Sequence, residues 1–95
     1  FKLCYALKEL HLGEVIEICD EAFRDCRVLE MFCSSNVAVV GARAFEGCRN
    51  LRSIAMGSGV LDVGNDAFKG CFRLVLDELQ DIAERFPSAF DERMQ

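Results

Sequence analysis

One dipeptide, Ala-Phe, returns four times at near-constant spacing, and that regularity restricts the chain to a stack of repeated coils. It stands at Ala22-Phe23, Ala44-Phe45, Ala67-Phe68 and Ala89-Phe90, in steps of 22, 23 and 22 residues. Cysteine follows the phenylalanine three residues on, at Cys26, Cys48 and Cys71, and the chain opens in the same register with Phe1 and Cys4. Leu7, Leu29, Leu51 and Leu74 come next, then Leu10, Phe32 and Ile54, a column that Asp77 breaks. Further columns read Leu12, Ser34, Met56, Leu79, then Val15, Val37, Val60, Ile82, then Ile18, Val40, Val63, Arg85. One inserted residue keeps them aligned, and it falls at Gly57-Ser58-Gly59, where a loop tolerates lengthening. Columns that hold register over four turns put each coil in an equivalent place in a stack.

Local patterning gives the path of a coil. Leu51 to Met56 ends in the alternation of a short strand. Val37 and Val40 suggest a second extended piece, turned at Gly41, and Gly64 holds the same place one coil on. Asn65 to Cys71 reads as one helical turn, capped by Asn65 or Asp66 and ended near Gly70. Stacked strands then make a parallel sheet on one face, with short helical turns on the other. A lone coil cannot bury its Phe, Leu and Val; neighbours above and below must cover them. The expected domain is a single unit over 1–95, with coils near 1–22, 23–44, 45–67 and 68–89 and a degenerate end at 90–95. A chain that opens in mid-repeat at Phe1 points to a segment of a longer repeat protein.

Composition agrees with a folded domain: 52% of the 95 residues are hydrophobic, and a disordered chain would hold fewer. The net charge of −5, with basic residues scattered along the chain, argues against a nucleic-acid surface. No run approaches the roughly 20 apolar residues that span a bilayer, so no membrane insertion is expected.

The stretch from Val40 through Ala44-Phe45, Cys48 and Leu51 to Ile54, and its repeat from Val63 through Ala67-Phe68 and Cys71 to Leu74, resembles the BspA-like leucine-rich-repeat family. The period lies in the leucine-rich range, far from that of ankyrin units. The resemblance implies a curved leucine-rich solenoid of the α/β repeat class. It also implies cell-surface or extracellular proteins of bacteria and parasitic protists, linked to adhesion and host contact. The chain departs from the family where Cys33-Ser34-Ser35 and Met56-Gly57-Ser58 replace a frequent proline, and where Cys19 stands in the column of Gly41 and Gly64. Its last coil decays, with Asp77, Phe86 and Arg93 at consensus places. Two readings of 76–86 remain open: a degenerate capping coil, or an amphipathic helix through Leu76, Leu79, Ala83 and Phe86 stopped by Pro87.

No catalytic or metal-binding motif emerges, and no cofactor is expected. The ladder of Cys4, Cys26, Cys48 and Cys71 contains no Cys-x-x-Cys pair of the zinc kind. It falls between inward Phe and Leu columns, so buried, reduced thiols are expected. Cys33 faces outward and is the best candidate for a reactive thiol. His11, the sole histidine, shares its strand face with Glu9 and aligns with Cys33, but this trio would sit on an open sheet with no pocket. The aspartates lack calcium-loop spacing, and Gly57-Ser58-Gly59 is no phosphate loop.

A protein partner would meet the sheet face. Its outward residues are Glu9 and His11, Met31 and Cys33, Ser53 and Ala55, and Leu76 and Glu78. Met31 and Leu76 are the candidate anchors. A non-enzymatic protein-interaction module is therefore the leading expectation. Its competitor is a structural repeat segment of a larger intracellular scaffold, whose exposed coil ends would self-associate.

Overall fold

The computed structural model describes residues 7–57, 59–75 and 79–90. The alternation and the valine column predict two extended pieces per coil, and these build two sheets rather than the one expected. The first sheet joins β1 (Glu9–Glu14), β3 (Met31–Ser35) and β5 (Ser53–Ala55), in that order. The second joins β2 (Glu17–Ile18), β4 (Val39–Val40) and β6 (Asp62–Val63). All pairings are parallel and one coil apart: Glu9 faces Met31, Met31 faces Ser53, Glu17 faces Val39, and Val39 faces Asp62. The repeat period is thus the register of both sheets.

Between the sheets lies the core. Phe23, Phe45, Phe68 and Phe90 form one stack, with ring centroids 5.3, 5.5 and 5.1 Å apart. Phe32 closes edge-on over Phe23 and Phe45, at 5.4 and 5.2 Å. Each ring has neighbours only in its own and adjacent coils, so stability propagates by contact between neighbours. Ser34 interrupts a column of leucine and methionine, yet it is buried. Its hydroxyl donates to the Gly13 carbonyl at 2.8 Å, where the β1–β3 register shifts between His11 and Glu14. The hydrogen bond removes the cost of burying that polar group.

The segment after each second-sheet strand differs from the helical turn expected there. Ala67, Lys69 and Cys71 N–H groups bond the Gly64, Asp66 and Phe68 carbonyls of their own coil, but Asp66 and Phe68 send theirs to Ser88 and Ala89 of the next. Arg43, Phe45 and Gly47 donate to the carbonyls of Asn65, Ala67 and Lys69 at 3.0, 2.7 and 2.8 Å. Left-handed residues make this possible by flipping alternate peptide planes. Glu21, Arg43 and Asp66 have φ of 59°, 59° and 59°, and Asp25, Gly47 and Gly70 have φ of 61°, 80° and 81°. Asp66 therefore does not cap a helix, while Gly70 occupies the turn-ending place its residue type favours. For side chains other than glycine this conformation costs roughly 1–2 kcal/mol, and the bonds to the next coil hold it.

In the last coil the extended piece is replaced by helix α1 (Gln80–Arg85), so a helix is realised over those residues, while 76–78 of the expected span lie outside the described residues. The helix sends Ile82 inward at the valine-column place and stops before Pro87. Ala89-Phe90 nonetheless keeps the repeat, since Phe68 N–H bonds the Ala89 carbonyl at 2.7 Å. Arg85 explains itself at a valine position. It donates to the Val60 carbonyl at 3.1 Å, pairs with Asp81 at 3.2 Å and lies 5.1 Å over the Phe86 ring.

Candidate functional site

Strand alternation turns Glu9, His11, Met31, Cys33, Ser53 and Ala55 to the outer face of the first sheet. Two rows result across the strands: Glu9, Met31, Ser53, and His11, Cys33, Ala55. Glu9, His11, Met31 and Ala55 are exposed, while Cys33 and Ser53 are half-buried. Leu76 and Glu78, expected to extend the rows, lie outside the described residues.

The rows meet a groove of about 430 Å³ at the strand starts, lined by Lys8, Glu9, Glu30, Met31, Arg52, Ser53 and Val75. One wall is the column Lys8, Glu30, Arg52, Val75, set one residue ahead of the outward strand row. Arg52 and Glu30 are paired across adjacent coils at 2.9 Å. Met31 and Val75 are 36% and 52% exposed, and Phe72, three residues before Val75, is 53% exposed. Attention to strand alternation alone misses Lys8, Glu30, Arg52 and Val75, although the repeat register aligns them as clearly as it aligns the core.

The trio on this sheet is assembled only in part. His11 Nε2 lies 3.3 Å from Glu9 Oε1, and His11 is the register partner of Cys33. Both side chains of the Glu9–His11 pair are open to solvent, at 62% and 59% exposure. An exposed pair of this kind contributes about 0–1 kcal/mol. Among the described residues, no group of three or more His, Cys, Asp or Glu is placed to hold a metal ion.

The cysteine column is structural in a more specific way than packing alone. Cys48 Sγ donates to the Phe23 carbonyl and Cys71 Sγ to the Phe45 carbonyl, each at 3.1 Å. Each thiol thus ties its coil to the one before it. Cys48 and Cys71 are free, buried thiols, as expected. Cys26 corrects the expectation of a reduced ladder, because it is disulfide-bonded. Cys4 lies outside the described residues.

Hydrogen bonding with Cys48 and burial together push the Cys71 thiol well above the ordinary thiol range. A folded-state pKa above the unfolded one contributes stability that is lost as pH rises past the unfolded value. Above about pH 9 the native protein should therefore lose about 1.4 kcal/mol per pH unit relative to a Cys71→Ser variant, which cannot titrate there. Denaturant midpoints of both proteins across alkaline pH would check this; parallel curves would count against it.

Two parallel sheets in coil register, a shared phenylalanine stack and an exposed sheet face define a leucine-rich-repeat solenoid. The family model described as BspA type Leucine rich repeat region (6 copies) matches residues 1–91, and the chain belongs to that family. Among solved structures, the crystal structure of the T. pallidum Leucine Rich Repeat protein is similar, with TM-score 0.64 and 26% identity. The match covers 72% of this chain and 36% of the T. pallidum chain. No curated protein matches. Among the described residues, no helix is long and apolar enough to cross a membrane.

Proposed function

We propose that the chain is a non-enzymatic protein-binding module that engages its partner through the outer face of the first sheet. The observation that carries this reading is the groove at the strand starts, where Met31 and Val75 stay exposed between charged walls. Repeat solenoids present extended surfaces of this kind to partners, and leucine-rich-repeat modules in general bind proteins. Exposed apolar residues grouped with polar neighbours are what an interface anchor requires. The family resemblance supports placing that contact at a cell surface, as an adhesion or host-contact element.

Site-specific photocrosslinking tests the reading. A benzophenone side chain at Ser53, in the groove, should capture a discrete protein from extracts of the native source. The same probe at Asp62, on the second sheet, should not. Equal capture at both places, or none at either, would remove the groove from consideration.

A further inference from the structure

The coils sort the charges of this chain into two unlike flanks. The segments leading into the first sheet carry Lys8, Arg27, Arg49, Arg52 and Arg73 against Glu9 and Glu30. The flank running from the end of the first sheet through the second sheet carries Glu14, Glu17, Asp20, Glu21, Asp62 and Asp66 against Arg43. Among the described residues the segments leading into the first sheet are therefore the cationic side, and the groove, lined by Lys8 and Arg52 with Glu9 and Glu30, borders them.

Of the cations on that side, Arg52 is paired and the others are not. Arg24 pairs with Glu21 and Glu46, Arg43 with Glu46, and Arg52 with Glu30. Among the described residues Lys8, Arg27, Arg49 and Arg73 make no ion pair. Arg27 and Arg49 occupy the same column in adjacent coils, about 4.8 Å apart along the stack. Two exposed guanidinium groups carried at neighbouring backbone positions can both reach one anion. Phe72 continues the column in the next coil, and Val75 follows three residues on. Cations, an exposed ring and an apolar groove thus share one strip across the coils.

We infer that this strip binds an acidic, extended segment of a partner protein. An apolar side chain of the segment sits between Met31 and Val75, and its carboxylates meet Lys8, Arg27 and Arg49. Three coil steps span about 14 Å, which four or five extended residues cover at about 3.3 Å each. The apolar anchor distinguishes such a segment from a plain polyanion, which would need only the charges. This inference rests on the binding role assigned to the groove and names the chemistry of its partner.

The test uses a short labelled peptide of glutamate and aspartate with one central leucine, read by fluorescence anisotropy. Binding should weaken with salt. It should fall about tenfold or more in an Arg27→Glu, Arg49→Glu double variant, and by a similar factor when serine replaces the peptide leucine. Lys69→Glu, outside the strip, should leave it unchanged. No peptide binding while the Ser53 crosslink persists would overturn the acidic class and leave the groove's binding role standing; loss of both would sink both. Heparin or an RNA oligonucleotide bound as tightly as the peptide, with no dependence on the leucine, would replace the inference with a polyanion surface. Salt-dependent self-association of the chain alone, abolished by Glu17→Lys, would replace it with a second copy docking by its acidic flank.

Discussion

Gly64→Ala should cost about 3 kcal/mol, although it adds a single methyl group. A Cβ at this position would lie 2.6 Å from Ala42 Cα and 2.8 Å from the Gly41 carbonyl carbon, as well as against Ala42 N. These are backbone atoms of the preceding coil, so no side-chain rotation can relieve the contact. The coils would have to part, and parting them would stretch the bonds that tie this turn to its neighbours. Gly13 and Gly59 provide the controls, since a Cβ at either meets nothing within 4 Å. Alanine there should change stability by no more than about 1 kcal/mol, with a small gain the more natural sign. Denaturant midpoints of the three variants decide it. Equal midpoints would mean that coil spacing is not set at Gly64.

Phe45→Ala should be costlier still, at about 3–5 kcal/mol. Phe45 is fully buried, stacked between Phe23 and Phe68 and touched edge-on by Phe32. Its removal opens a cavity between the Phe23 and Phe68 rings. A domain of this size has about 5–15 kcal/mol in all, so the variant should be partly unfolded near body temperature. Phe45→Leu keeps most of the volume and should cost about 1.5 kcal/mol. Thermal unfolding of the two, alongside a Phe45→Ala, Phe68→Ala double variant, would show whether the stack acts as a unit. Contacting residues should give a double loss that differs from the sum of the single ones.

How far the sequence reveals this molecule depends on which atoms make each contact. The period and the inward columns are side-chain properties, so the first sheet, its register and the inward phenylalanine column follow from the residue pattern, while the pairing of the second extended pieces into a sheet of their own does not. The turns between them are governed by backbone dihedrals. Gly47 and Gly70 hint at left-handed positions, but Glu21, Arg43 and Asp66 adopt the same conformation with no residue signature. That is why a helical turn is the natural expectation at Asn65 to Cys71 and the wrong local geometry. At the chain's last coil, the same residues satisfy a helix at Gln80–Arg85 and the repeat at Ala89-Phe90, which is why two readings stay open from sequence alone. The outward rows Glu9, Met31, Ser53 and His11, Cys33, Ala55 are legible because alternation orders them. The groove is not, because one of its walls belongs to the residues just before the strands.

The flipped peptides between the sheets have one more consequence. In these segments the N–H groups of Glu21, Phe23, Asp25, Arg43, Phe45, Gly47, Asp66 and Phe68 all donate to carbonyls of the following coil. Peptide dipoles that share a direction add, as they do along an α-helix. Along this side of the stack the bonds therefore share one sense, with amide hydrogens leading toward the later coils, while Met31, Gly41, Ser53 and Gly64 beside the sheets donate the opposite way, to Lys8, Ile18, Glu30 and Val40. A coil inserted upside down would set oxygen against oxygen. Such an array lengthens only by tandem copying in one orientation, as a column of sockets accepts plugs from one side.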